Sequence, residues 1–260
     1  MHNPKLVRSP EADAAPSGGR TFRVKIVAIT LLLALAVLAV DAASFSAAWA
    51  LIELGVTRDE VPVVLEQLSK VTKFLLKFDV GGEQTVAAWL SSVLMLLCAI
   101  VLLYVATMKR HGGEPYAMHW LGLSVIFLAL SMDETVGFHE MTIKPLQEML
   151  GADGAFRHAW VIPAMVLVGA VGMAYLGFLW HLERAFRLRC VLAGGLFVGG
   201  AVGFEILEGA LADYYAQHPL LFEAAVHLED TLEFAGVLIF LHGLLTYILR
   251  PGRDVILRLT

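Results

Sequence analysis

The sequence predicts an all-α integral membrane protein, built as a bundle of six transmembrane helices. Of its 260 residues, 58% are hydrophobic, and the mean hydropathy is +0.72, whereas soluble domains are nearer half apolar. Several apolar runs also reach the ~20 residues that a helix needs to cross a ~30 Å hydrocarbon core. Because a lone span in lipid must satisfy its own backbone hydrogen bonds, these runs are predicted to be helices.

Six apolar runs follow a polar N-terminal segment. They are Ile26–Ile52, Thr85–Thr107, Met118–Phe138, Ala159–Leu182, Cys190–Tyr214 and Ala224–Leu249. Residues 1–22 are rich in Pro, Ala, Gly and charged side chains, which predicts a disordered tail. Residues 23–250 are predicted to form the transmembrane domain, and residues 251–260 a second tail.

The first run has an alternative interpretation. Ile26–Val40 could be the apolar region of a signal peptide, with Ala48–Ala50 (Ala-Trp-Ala) as its cleavage site. Since the run continues apolar well past Asp41, we favour a retained helix.

The distribution of basic residues predicts the orientation. Lysine and arginine fall alternately in rich and poor connecting segments, with 13 on the side that includes both termini and six on the other. The positive-inside rule therefore predicts cytoplasmic termini. The composition and topology together predict a multipass protein of the bacterial cytoplasmic (inner) membrane.

The first outer loop is predicted to contain an amphipathic helix over residues 57–80. One helical face would carry the apolar residues Val61, Val64, Leu65, Leu68, Val71, Leu75 and Phe78. Such a helix would lie on the outer membrane surface or pack on the bundle, and the sequence favours neither arrangement.

Acidic residues and a histidine end the third predicted span. Asp133, Glu134, His139 and Glu140 fall within eight positions of the stretch LSMDETVGFHE. A helix rises 1.5 Å per residue, so Asp133 would lie about 22 Å above the cytoplasmic end of its span. The same arithmetic places carboxylates of three other spans in this layer, namely Asp41, Glu205, Glu208, Glu229, Asp230 and Glu233.

No lysine or arginine occurs within the six predicted spans. A buried carboxylate without a basic partner takes up a proton or binds a cation, so the layer predicts a metal or protonation site. His139, His158 and His227 lie at the same edge and could supply nitrogen ligands. The predicted metal ligands are Glu205, Glu208, His227, Glu229, Asp230 and Glu233. The predicted catalytic residues are Asp133, Glu134 and His139.

Glycines also mark the fifth span. Gly195, Gly199 and Gly203 form a GxxxGxxxG stripe, which is typical of a close approach by a neighbouring helix. The fifth span is therefore predicted to be central, with one side packed and the other lined by acidic residues.

Oxygen ligands combined with imidazole suit iron, manganese or zinc. Iron would imply oxygen chemistry on a lipid or quinone-like substrate, and zinc would imply hydrolysis by an activated water. The function predicted first is a membrane metalloenzyme acting on a lipid-like or small hydrophobic substrate.

Two other functions stay open. A proton or cation translocator would use the carboxylates as a relay, but a relay should cross the whole membrane, and the cytoplasmic halves of the spans are almost purely apolar. An accessory subunit would use the acids only to fix helix packing. A membrane-protein partner or a homo-oligomer fits any of these functions. Cys98 and Cys190 form no CxxC pair, so no cysteine-based metal site is predicted. The sequence has no basic cluster of the kind that binds nucleic acid, so nucleic-acid binding is not predicted either.

Three stretches carry a resemblance to known proteins. LSMDETVGFHE, GGAVGFEILEG and HLEDTLEFAGVLIFLHGLL resemble uncharacterised bacterial multipass proteins with D-E-x(4)-H-E and E-[DE]-x-[LI]-E-x-x-G signatures. The resemblance covers Met118–Leu249 and implies a multipass fold without a mechanism. Ser131, Asp133 and His139 are loosely similar to membrane hydrolases related to alkaline ceramidase. The chain is not assigned to those hydrolases because its last span lacks their H-x-x-x-H arrangement.

Overall fold

A computed structural model describes residues 18–82 and 84–249, which are largely helical and include no strand. Seven long helices follow one another along the chain. They are α1 (Gly18–Leu54), α2 (Val86–His111), α3 (Ala117–Val136), α4 (Phe138–Leu150), α5 (Val161–His181), α6 (Arg184–Ala210) and α7 (Pro219–Ile248). Helix α6 contains a π-helical segment at Gly199–Phe204.

Five of these helices, α1, α2, α5, α6 and α7, are long and apolar enough to cross a membrane. Helices α3 and α4 meet the same criterion only as a pair, and they are bent by 79° relative to each other. The prediction of a helical multipass membrane protein is confirmed. The count of six spans and the cytoplasmic position of the termini stay predictions.

The predicted tails fall almost entirely outside the described residues. Residues 1–17 and 250–260 are not among them, and residues 18–22 belong to α1 instead of a disordered tail. Helix α6 begins at Arg184, six residues before the predicted start of the fifth span. Basic side chains at the end of an apolar run can place their charged heads in the interface, which is why composition alone set the boundary too late.

The third predicted span ends in a sharp corner. Gly137 adopts a left-handed conformation (φ +68°) and both ends α3 and begins α4. The backbone carbonyl of Asp133 accepts a hydrogen bond from Gly137 N–H at 2.7 Å. One carboxylate oxygen of Asp133 accepts another from His139 N–H at 3.0 Å. The sequence analysis did not predict α4, because the glycine corner lies inside an otherwise continuous run.

Helix α7 is the central helix of the bundle, packing against α1, α2 and α6. It approaches α6 closely at Gly236, where an added Cβ would lie 2.7 Å from Ala193 O and 2.9 Å from Phe197 N. The predicted role of the glycine stripe is therefore wrong. An added Cβ at Gly195, Gly199 or Gly203 would meet no described atom within 4 Å, because these positions point away from α7.

The segment predicted as one amphipathic helix over residues 57–80 is a chain of short helical turns. Its longest piece is Lys70–Leu75, whose first turn is capped by Ser69 Oγ, which accepts Thr72 N–H at 3.0 Å. Leu68, with ψ 152°, is extended and interrupts the helix. Leu68 is 8% exposed and Val71 is 68% exposed, so these two residues do not share one face.

We expect the Gly236→Ala variant to lower the stability of the bundle, because its Cβ would collide with backbone atoms that cannot rotate away. Overpacking of this kind costs about 1–3 kcal/mol. The measurement is the unfolding midpoint in detergent, followed by tryptophan fluorescence. Gly195→Ala is the matched control, and it should leave the midpoint unchanged or raise it slightly. Equal midpoints for the two variants would contradict the tight α6–α7 contact.

Candidate functional site

A cavity of about 770 Å³ lies at the end of the bundle that holds Asp133, Glu205 and Glu229, here called the acidic end. Residues of all helices from α2 to α7 line it, together with the loops that precede α2 and α5. Its charged and titratable lining residues are Arg58, Asp133, Glu134, His139, Glu140, His158, Glu205, Glu208, Glu229, Asp230 and Glu233. The structure therefore brings together eight of the nine predicted site residues.

Three of the lining residues form a compact group. One ring nitrogen of His158 and one carboxylate oxygen each of Glu205 and Glu208 lie within 4.8 Å of one another. The two glutamates are three residues apart, so they share a face of α6. Their helical turn follows directly on the π-helical segment Gly199–Phe204.

A glycine lets the loop that carries His158 approach α6. An added Cβ at Gly209 would lie 2.5 Å from the carbonyl oxygen of Gly154. The loop turn Gly154–Phe156 therefore packs directly on the backbone of α6. This contact explains how a residue 47 positions before Glu205 reaches the glutamate.

Two of the three side chains contact each other, and the third faces them. His158 Nδ1 contacts Glu205 Oε2 directly. Glu208 Oε1 is buried and makes no hydrogen bond to a described residue. Buried polar atoms are rarely left unsatisfied, so this group fits a bound cation or a proton.

The protonation state of His158 suits this interpretation. Burial lowers the pKa of His158 below its ordinary value, and the nearby positive charge of Arg157 lowers it further. The ring is therefore neutral at neutral pH, and a neutral imidazole has a lone pair to offer a metal ion.

Glu229 of α7 extends the group. Its carboxyl group lies close to that of Glu208, and two neighbouring carboxyl groups favour a shared proton or cation. Asp230 and Glu233 line the same cavity but do not belong to the three-residue group. Their predicted role as metal ligands stays untested.

A histidine–carboxylate pair lies beside the group. His139 Nδ1 is 2.7 Å from Asp133 Oδ2, and the His139 ring packs on Trp160 with centroids 4.9 Å apart. Trp160 Nε1–H donates to Glu205 Oε1 at 3.3 Å. Asp133 and Glu205 are therefore linked by a series of contacts through His139 and Trp160. Glu134 also lines the cavity.

His227 is the predicted ligand that the structure does not bring to the cavity. Its Nδ1 lies 2.6 Å from Asp41 Oδ1, and its ring packs edge-on against Phe45 with centroids 5.5 Å apart. Adjacent helical positions point about 100° apart. While Val226 faces the cavity, His227 faces α1. The nitrogen ligand of the group is His158, which the sequence analysis named only as a candidate.

A cation reaches the acidic end from outside the predicted spans. Arg58 bonds to Asp79 at 2.7 Å and binds both carboxylate oxygens of Glu223, at 2.8 and 2.6 Å. Burial alone would lower the pKa of Arg58, but its hydrogen bond to Glu223 and the two negative charges raise it above its ordinary value. The guanidinium therefore stays charged. The sequence analysis had considered only cations within the spans.

Comparison with known families gives one match. The model of the domain of unknown function DUF8692 matches residues 26–248. The chain belongs to this family. No curated protein and no solved structure gives a significant match. The matched residues include every residue that lines the cavity, so the site lies wholly within the DUF8692 domain. The family description names no activity, and any functional argument must therefore come from the geometry of the site.

We expect Arg58→Ala to destabilise the protein by about 3 kcal/mol, because it leaves the half-buried Asp79 and the buried Glu223 without their cation. Arg58→Lys should recover only part of the loss, since an ammonium group cannot bind two carboxylates in the guanidinium geometry. The control is Lys73→Ala, which removes an exposed pair with Glu66 and should have no measurable effect. Chemical unfolding of the three variants tests this, and equal stability of Arg58→Ala and Lys73→Ala would contradict it.

Proposed function

We propose that this DUF8692 protein is a metal-dependent enzyme of the bacterial cytoplasmic membrane, and that His158, Glu205 and Glu208 hold its metal. The observation that carries the proposal is the convergence of three ligand atoms, within 4.8 Å of one another, from two separate segments. This ligand set keeps two glutamates of the predicted set and replaces His227 by His158. The proposed substrate is lipid-like or otherwise hydrophobic, because apolar side chains line the deeper part of the cavity.

The number of ligands favours zinc and hydrolysis over di-iron chemistry. Catalytic zinc sites use three protein ligands and keep one position open, and they accept histidine and glutamate. Helix-bundle di-iron sites take four carboxylates and two histidines, whereas the described residues contain one group of three. A zinc ion held in this way would supply a nucleophilic water at neutral pH.

Neighbouring side chains supply proton transfer. Asp133 orients the His139 ring through the 2.7 Å contact at Nδ1, in the manner of a carboxylate that positions a catalytic base. His139 lines the cavity beside Trp160. We therefore assign His139 as the group that takes a proton from water and returns it to the leaving group, with Asp133 as its positioning residue.

The translocator alternative has less support. Below the cavity, the middle of the bundle is filled by apolar side chains with 2% exposure or less, among them Leu94, Leu102, Phe178 and Leu244. The carboxyl groups that line the cavity lie at the acidic end. A relay needs titratable groups along the whole path, and this packed layer interrupts one.

We expect the purified wild-type protein to contain about one zinc ion per chain, with one set of three ligands to hold it. Glu205→Gln and His158→Ala should each lose most of the metal, because each removes one ligand. Glu148→Gln, at an exposed position of α4, is the matched control and should retain it. Elemental analysis after dialysis against a weak chelator is the measurement.

Three other results would count against parts of this proposal. Equal metal content in Glu205→Gln and Glu148→Gln would overturn the ligand assignment. Near-stoichiometric iron would replace hydrolysis by oxygen chemistry. No metal in the wild type after loading would overturn the enzyme proposal itself.

A further inference from the structure

Helix α4, which follows the Gly137 corner, is a peripheral helix at the acidic end. It is bent by 79° from α3, and none of its residues is buried. Its backbone approaches the long helices mainly at α3. Helix α4 is therefore held to the rest of the protein along only part of its surface.

One side of α4 faces the protein. His139 packs on Trp160 and lines the cavity, and Gln147 Nε2 donates a hydrogen bond to the backbone carbonyl of Arg157. These contacts tie both ends of α4 to the segment before α5. This side of the helix is one wall of the cavity.

A second side of α4 is apolar and is not covered by the protein. Met141, Pro145 and Met149 recur at intervals of four residues, so they lie along one face of the helix. All three are exposed, the two methionines by 69% and 72%. Contiguous exposed apolar side chains mark a contact with a membrane or with another protein.

Charged side chains form a third side. Glu140, Lys144 and Glu148 also recur at intervals of four residues, and all three are exposed. A helix that lies in a membrane interface combines these two kinds of surface, because its apolar side contacts the lipid chains and its charged side contacts water. The pattern of α4 is therefore that of an interfacial helix.

The position of α3 places α4 near the plane of the membrane surface. Ser124 Oγ donates to the carbonyl of Ala99 at 2.8 Å, and Ser131 Oγ to that of Ser92 at 2.9 Å, so α3 packs beside α2, which is long and apolar enough to cross a membrane. The 20 residues of α3 span about 30 Å, which is the thickness of a hydrocarbon core. A helix that turns by 79° at this point therefore lies close to the membrane plane.

The exposed face of α3 leads to the apolar side of α4. This face is a row of exposed apolar residues at intervals of three and four, namely Val125, Leu128, Met132 and Val136. The row ends directly before the Gly137 corner, and Met141 lies about one helical turn beyond that corner. Lipid that covers the row on α3 therefore reaches the beginning of α4, and the same lipid surface can cover both helices.

We propose that α4 is a membrane-surface helix whose Met141, Pro145 and Met149 side inserts among the lipid chains of the leaflet at the acidic end. This contact holds the cavity wall that carries His139 at the level of the lipid head groups. Methionine suits such a contact because its flexible, polarizable side chain adapts to irregular surroundings. The proposal does not depend on the bound metal, since the three inserted residues do not line the cavity.

Site-directed spin labelling tests this contact. The full-length protein in phosphatidylcholine nanodiscs carries one nitroxide, at Met149→Cys or at Lys144→Cys, with both native cysteines, Cys98 and Cys190, replaced by alanine. Collisions with oxygen, which concentrates in hydrocarbon, are compared with collisions with a water-soluble nickel chelate. We expect the ratio of oxygen to nickel collisions to be several-fold higher for Met149→Cys than for the matched control Lys144→Cys. Met141→Cys should resemble Met149→Cys.

Three results would overturn the proposal. Frequent nickel collisions at both positions would place the apolar side of α4 in water. A high oxygen ratio at Lys144→Cys as well would place the whole helix within the hydrocarbon, as in a re-entrant turn. Exclusion of both reagents from Met149→Cys would show that a protein, such as a second copy of this chain, covers the apolar side.

A second measurement needs no label and serves if the cysteine variants fail to fold. Met149→Trp and Lys144→Trp are placed in nanodiscs of phosphatidylcholine that carries bromine on its acyl chains. We expect the fluorescence added by Met149→Trp to be quenched, because bromine quenches tryptophan on contact, and the fluorescence added by Lys144→Trp to remain. Equal quenching of the two variants would contradict the insertion of the apolar side.

Discussion

Carboxyl groups buried at one end of an apolar bundle must find partners within the protein, since lipid provides none. Charged and polar side chains that are far apart in the sequence satisfy this constraint by pairing with one another. Asp41 of α1 pairs with His227 of α7, and Arg58 of the first loop joins Asp79 to Glu223. These contacts tie the loop before α2 to α7, and α7 to α1. The arrangement of helices at the acidic end thus depends on how its charges are paired.

His158, Glu205 and Glu208 are the part of this end where pairing within the protein is incomplete. Their ligand atoms lie within 4.8 Å of one another, and Glu208 Oε1 makes no hydrogen bond to a described residue, which is the geometry of a ligand site. The same residues also come from structurally unusual places. The glutamates follow a π-helical segment, and such segments are frequent at functional sites. The histidine is carried by a loop that packs on the backbone of α6 at Gly209.

The polar group and the apolar residues below it line one cavity. The closed packing below this cavity, around Leu94 and Leu244, separates it from the far end of the bundle. A site of this form suits chemistry at the membrane surface better than transport across it.

Composition and spacing alone determined much about this protein. Long apolar runs identify the helices because the bilayer sets their length, and the positions of Asp133, Glu205 and Glu229 along those runs place them in one layer. The face that each side chain presents was decided only by tertiary structure. His227 turns to α1 instead of the cavity, the glycine stripe of α6 points away from its neighbour, and His158 enters through a loop. Helical rise fixes height from the sequence, but rotation, loop paths and the Gly137 corner depend on contacts between distant segments.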